Sequence, residues 1–131
     1  MATMEVEVVS PDRALFQGEA SEVYARSVEG EIGILPGHQP ALLLLDVAPL
    51  RVKTPDGTEH VFAVHSGFLE IREDHLRVLA DIAEPIADID APRAGRSRQQ
   101  AEERLRKDED DAEARSALAR AELRERLAGQ S

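Results

Sequence analysis

The sequence predicts a β + α protein. Residues 1–86 read as a β-sandwich, or flattened barrel, of about ten short strands, and residues 87–131 as an antiparallel α-helical hairpin. Three observations carry this expectation. Apolar and polar residues alternate at period two through the first part, between closely spaced turn signals. Charge balance changes near Pro85–Asp90: residues 1–88 hold 6 basic and 16 acidic side chains, whereas residues 89–131 hold 10 of each. Beyond that point alanine and leucine recur at helical spacing and the aromatics stop.

The strands follow in order. Val6 and Val8 alternate with Glu5 and Glu7, and Val23 and Ala25 with Glu22, Tyr24 and Arg26. Leu50 and Val52 alternate with Arg51 and Lys53, then Leu69 and Ile71 with Glu70 and Arg72. Leu76, Val78, Ala80 and Ile82 form the longest such series. Period-two patterning places one face in a core and the other in water. Pro11-Asp12, Glu29-Gly30, Pro36-Gly37 and Glu73-Asp74 mark turns. Pro55-Asp56-Gly57 predicts a hairpin, because proline presets φ and glycine accepts a positive φ. Ala41–Leu45 and Val61–Val64 are apolar at both parities, which predicts strands covered on both faces.

The helices have their own punctuation. Asp90 is an N-cap and Pro92 sits in the first turn, where its missing N–H does little harm. Ala94, Ala101 and Leu105 share a face. The acidic run Asp108-Glu109-Asp110-Asp111 interrupts the first helix and caps a second, which carries Ala114, Ala117, Leu118, Ala121, Leu123 and Leu127 and stops at Gly129. Leu105, Leu118, Leu123 and Leu127 are the large apolar side chains of the two helices, each contributing roughly 1.5–3 kcal/mol when buried. Ordering the backbone costs roughly 1–2 kcal/mol per residue. The hairpin is therefore expected to be marginal and able to undock.

Composition removes several functions. A formal charge of −10 and only four aromatics, Phe16, Tyr24, Phe62 and Phe68, oppose nucleic-acid binding. No cysteine means no disulfide and no thiolate chemistry. The longest uncharged run, Ile32–Leu45, is 14 residues interrupted by Pro36 and Pro40, too short for direct membrane insertion. Met1-Ala2-Thr3-Met4-Glu5 lacks the basic and apolar stretches of a secretory signal, so the expected compartment is the cytoplasm.

Catalytic groups are not expected. Neither a P-loop nor a Gly-x-Ser-x-Gly elbow occurs. His65 and Ser66 are adjacent strand residues pointing to opposite faces, so one does not activate the other. His38, His60, His65 and His75 lack metal-ligand spacing, so no metal site is expected. The segment Gly30–Pro40 is more distinctive, with three glycines and two prolines around Ile32, Ile34 and Leu35. On spacing alone it is a tight β-corner followed by a turn, a stiff loop of the kind that presents side chains to partners.

That segment, Gly30-Glu31-Ile32-Gly33-Ile34-Leu35-Pro36-Gly37-His38-Gln39-Pro40, resembles the hallmark of the epsilon subunit family of rotary F-type ATP synthases. Val9-Ser10-Pro11 with Leu15-Phe16-Gln17-Gly18, Ser66-Gly67-Phe68-Leu69-Glu70-Ile71, and Val78-Leu79-Ala80-Asp81 with Ala83-Glu84 are similar to further family stretches, in order. The similarity covers residues 4–94, and the tail more loosely. It implies a non-catalytic central-stalk subunit that requires no cofactor. Its partners would be the gamma subunit, the c-subunit ring and the alpha/beta catalytic head, and it would sit peripherally on the cytoplasmic face of the cell membrane. It would couple proton translocation to ATP synthesis and inhibit ATP hydrolysis through its C-terminal helices.

By the same resemblance Glu31 and His38 meet the c ring and gamma. Arg115, Arg120, Arg124 and Arg126 meet acidic loops of the beta subunits, or are simply solvated helix charges balanced by Glu113, Glu122 and Glu125. Ile89-Asp90-Ala91-Pro92-Arg93-Ala94 resembles the Ile/Leu-Asp-x-x-Arg-Ala motif with which some relatives bind a regulatory ATP, and Glu84 stands where they place a further contact. Gln100 stands where those relatives carry another arginine. Without the rotor role, the alternative is a nucleotide-sensing β-sandwich module that would bind ATP at the sandwich/hairpin junction.

Overall fold

The computed structural model describes residues 2–129; Met1, Gln130 and Ser131, the outermost residues of the two expected segments, lie outside the described residues. The chain divides between Pro85 and Ile86 into two compact units. The first holds eight strands: β1 (Met4–Val9), β2 (Ala14–Ala20), β3 (Glu22–Ser27), β4 (Gly30–Ile34), β5 (Ala41–Lys53), β6 (Glu59–Arg72), β7 (His75–Ala80) and β8 (Ala83–Pro85). Their order is β2-β1-β7-β6-β5-β3-β4, with β8 also on β6. All pairings are antiparallel except β1 with β7.

Eight strands replace the ten expected because two of them are long. Ala41–Leu45 and the Leu50–Val52 alternation are halves of the 13-residue β5, and Val61–Val64 and Leu69–Ile71 are halves of the 14-residue β6. The two pair from Ala41↔Ile71 to Lys53↔Glu59. Their hairpin turn is the expected one: Gly57 has φ +90°, and the Asp56 carboxylate accepts from the Thr58 amide at 3.0 Å and from the Thr54 hydroxyl.

β6 changes neighbours halfway, and this folds the sheet on itself as a sandwich. Its first half pairs with β8 through Val64↔Ala83, its second with β7 from Gly67↔Ala80 onward. The change occurs at Ser66 and Gly67, with φ of +66° and +140°. A Cβ at residue 67 would lie 2.3 Å from the Leu79 carbonyl oxygen, so this corner requires glycine.

The in-phase residues of both faces form one core. Val6, Val23, Ile34, Leu50, Val52, Val64, Leu69, Leu76 and Val78 are among its fully buried members. One expectation is corrected here. Ala41–Leu45 is not covered on both faces, for Leu42 and Leu44 are exposed while Leu45 is buried.

The second unit begins with a 3-10 turn (Ile86–Asp88) and continues as α1 (Ala91–Lys107) and α2 (Ala112–Ala128). Asp90 caps α1 by accepting from the Arg93 amide at 3.0 Å, and Asp111 caps α2 by accepting from the Ala114 amide at 3.0 Å. Gly129 closes α2 in a right-handed conformation, φ −70°. The buried residues of α1 are alanines, Ala94 and Ala101; those of α2 are Ala114, Ala121, Leu123 and Leu127. Ion pairs join the helices: Arg98 Nε to Glu125 at 2.5 Å, and Arg104 to Asp111 at 3.0 Å.

Candidate functional site

The outward face of the sandwich carries an apolar row across four adjacent strands. Register aligns Val9 of β1 with Leu79 of β7, Leu79 with Phe68 of β6, and Phe68 with Leu44 of β5. Leu42 lies two residues along β5 on the same face and is 66% exposed. Phe68, Leu44 and Leu79 are 48%, 48% and 45% exposed. Val28, just past β3, is exposed and reaches the row by donating its N–H to the Leu44 carbonyl at 2.9 Å. Val9, Ser10, Pro11, Phe68, Leu79 and Asp81 line a shallow cavity of about 320 Å³ at one end. These strands are interior to the sheet, so the row is an exposed apolar surface on its face rather than an unpaired edge. Sequence reasoning missed it. The available signal was apolar residues at out-of-phase positions, Leu42, Leu44, Phe68 and Leu79, in strands whose in-phase residues already fill the core.

Glu31 is exposed near the start of β4, opposite Arg26 of β3. It borders a groove of about 310 Å³ with Tyr24, Arg26, Gly33 and Arg51. The Tyr24 ring lies across Gly33, where a Cβ would be 2.9 Å from it. Arg26 donates to the Val47 carbonyl at 2.7 Å and faces Asp46 at 3.5 Å, which holds this wall in place. The expected β-corner over Gly30–Pro40 resolves into strand β4 and then a turn. His38 is half-buried in that turn; its amide donates to the Leu35 carbonyl at 3.1 Å and its Nδ1 lies 2.7 Å from the Gln39 carbonyl. Gly37, φ +87°, donates its N–H to Asp74 Oδ1 at 2.6 Å. Glu31 and His38 thus stand at opposite ends of β4.

His65 and Ser66 do not meet through their side chains. The Ser66 hydroxyl lies 2.8 Å from Asp81 Oδ2, while buried His65 places Nε2 3.3 Å from Glu84 Oε1. Glu84 therefore has a structural partner within the first unit. Ile89, Asp90 and Arg93 belong to the second, with Asp90 and Arg93 joined in one helical turn and the Arg93 side chain exposed. The four arginines of α2 do not share one face. At about 100° per residue, Arg115 and Arg126 fall together, and Arg120 and Arg124 fall together on another side. Exposure follows that division: the first pair is exposed, the second half-buried. Arg115 also donates to the Glu109 carbonyl at 2.6 Å.

Among the described residues no group of three or more His, Asp or Glu side chains is placed to hold a metal ion. No helix among them is long and apolar enough to cross a membrane.

Residues 3–86 match the family model described as ATP synthase, Delta/Epsilon chain, beta-sandwich domain. The chain is 47% identical over 105 residues to the ATP synthase epsilon chain of Brevibacillus brevis, covering 80% of each chain. It is 43% identical over 122 residues to that of Shouchella clausii, covering 92% of this chain and 91% of the relative. It is 40% identical to that of Bacillus subtilis, covering 88% and 86%. Among solved structures, a chain of the Euglena gracilis mitochondrial ATP synthase (OSCP/F1/c-ring) shares the fold with a TM-score of 0.81 at 22% identity, covering 94% of this chain and 79% of that one.

Proposed function

The chain belongs to the ATP synthase delta/epsilon family, and from that premise we propose that it serves as the epsilon subunit of an F-type ATP synthase. It is a central-stalk part without catalytic groups of its own. It binds gamma and the c-subunit ring and transmits rotation while proton flow drives synthesis in the alpha/beta head. It requires no cofactor. It is peripheral, held at the cytoplasmic face of the cell membrane by its partner subunits.

The apolar row is the observation that supports this reading best. A sandwich face carrying Leu42, Leu44, Phe68 and Leu79 in register suits a lasting subunit contact. We assign this face to gamma, and Glu31 and His38 to the contacts with the c-ring loops and gamma. A carboxylate such as Glu31 orients a basic loop more than it adds affinity. The test is assembly with an alpha/beta/gamma head lacking this subunit. Phe68→Asp places a charge in the row without touching the core, and binding is expected to weaken about 100-fold or more. Unchanged co-purification of that variant would overturn the assignment.

The helical unit acts as a brake. Its buried residues are four alanines with Leu123 and Leu127, a small apolar seam that suits the near-balanced pair of states a switch requires. Arg115 and Arg126, exposed on α2, are the arginines offered first to acidic loops of the head, and Arg120 and Arg124 join once the hairpin opens. Deleting residues 87–131 is expected to raise ATP hydrolysis by the reconstituted head; equal rates would remove the brake and leave the coupling role.

A second reading rests on the Asp90–Arg93 turn. The exposed Arg93 guanidinium offers a phosphate partner beside Ile89 and Asp90, so this turn binds a regulatory ATP. Calorimetric titration with ATP is expected to show heat that Arg93→Ala abolishes. A silent titration at millimolar ATP would exclude it.

A further inference from the structure

We propose that Asp74 is the positioning residue of the His38 turn, clamping the loop that meets the partner; this rests on the partner contact assigned to that loop above. The β6–β7 hairpin turns through only two residues, Glu73 and Asp74, with φ of +49° and +58°. Both are left-handed and neither is glycine. Two-residue turns of this shape favour Asn-Gly or Asp-Gly, because a side chain at positive φ is strained. Such a conformation persists where its surroundings fix it.

Asp74 is fixed at both ends. Its carbonyl accepts the Glu5 N–H at 2.9 Å, which ties the turn to β1. Its carboxylate accepts the Gly37 N–H at 2.6 Å, which ties it to a loop 37 residues away. Gly37 reaches that geometry at φ +87°, where a residue with a side chain is strained. Among the described residues, the other hydrogen bonds of the turn stay inside it: His38 N–H to the Leu35 carbonyl, and His38 Nδ1 to the Gln39 carbonyl. The turn is thus closed by its own bonds but oriented by one outside group. A carboxylate accepting an amide makes a bond roughly twice as strong as a neutral pair. Asp74 sets where His38 and the exposed Leu35 point, through the strained hairpin that presents it.

Three variants separate side chain from backbone. Asp74→Gly keeps the left-handed turn and loses the acceptor. Asp74→Asn keeps an acceptor oxygen and tolerates positive φ. His38→Ala tests the partner contact itself. Two measurements are made on the full chain: amide hydrogen exchange at Gly37, and affinity for the alpha/beta/gamma head lacking this subunit. Asp74→Gly is expected to raise Gly37 exchange roughly tenfold and weaken head binding about fivefold, with Asp74→Asn recovering most of both. Unchanged Gly37 exchange in Asp74→Gly overturns the inference. So does unchanged head binding in Asp74→Gly when His38→Ala binds weakly. If His38→Ala binds normally, the partner reading of the loop fails, and Gly37 exchange alone decides whether Asp74 holds it.

Discussion

In the sandwich, the largest fully buried side chains are Ile34, Leu50, Leu69, Leu76 and six valines, together spread over six strands. In the hairpin, α1 buries only Ala94 and Ala101, α2 adds Ala114, Ala121, Leu123 and Leu127, and guanidinium–carboxylate pairs join the two helices. Large branched side chains lock a sheet because each leaves a costly cavity if it moves. Alanine seams and surface ion pairs let go cheaply. One chain thereby holds a stiff body that suits torque and a loose element that suits switching.

The same substitution in the two units tests this contrast with opposite signs. Gly67→Ala drives a Cβ to 2.3 Å from the Leu79 carbonyl oxygen and 2.7 Å from Ala80 Cα, at φ +140°. It is expected to destabilise the sandwich by about 3 kcal/mol or more in denaturant titration. A shift under about 1 kcal/mol would mean the corner yields, and the sandwich would not be the stiff partner. Gly95→Ala in α1 meets only Glu125 Oε2 at 3.7 Å, an ordinary contact. It is expected to stabilise the hairpin by about 0.5–1 kcal/mol, read as slower amide exchange in α1.

Electrostatics sharpens the comparison at smaller scale. Arg98→Met removes the pairs with Glu125 and Glu102, so exchange in α2 should quicken while the sandwich is unchanged. Salt should mimic the variant in the wild type and add little to it. Equal protection of α2 in both proteins would show that apolar burial alone closes the hairpin. The smallest effect is acidic. The Ala114 N–H, then Arg104, hold the Asp111 carboxyl below the ordinary aspartate value of 3.8. A lowered folded value gives stability that is present above the unfolded range and lost as pH falls through the folded one. Hairpin helicity should therefore decline below about pH 4, and Asp111→Asn should flatten that decline.

The legible part of the fold was the local part. Alternation at Val6/Val8, Leu69/Ile71 and Leu76/Val78 named core faces correctly, since a strand's period is set by its own backbone. The cap Asp90 was legible for the same reason, a side chain reaching an amide three residues on; the acidic run 108–111 announced the second cap, and the structure picked Asp111 from it. The Leu42–Leu44 segment was misjudged because an apolar residue facing outward looks in sequence like one facing a second layer. Nothing near Ser66–Gly67 announced that β6 would bend and exchange β8 for β7.

The sequence by itself determined the strand phases, the helix ends and the family. Only the tertiary structure decided which residues became neighbours. The apolar row exists because cross-strand register lines up Val9, Leu79, Phe68 and Leu44 from four separate strands. The Asp74–Gly37 bond exists because folding closes a 37-residue separation to 2.6 Å. Hydrogen-bond geometry and hydrophobic period act over a few residues, whereas a surface is assembled from strands whose pairing is chosen by the whole core at once.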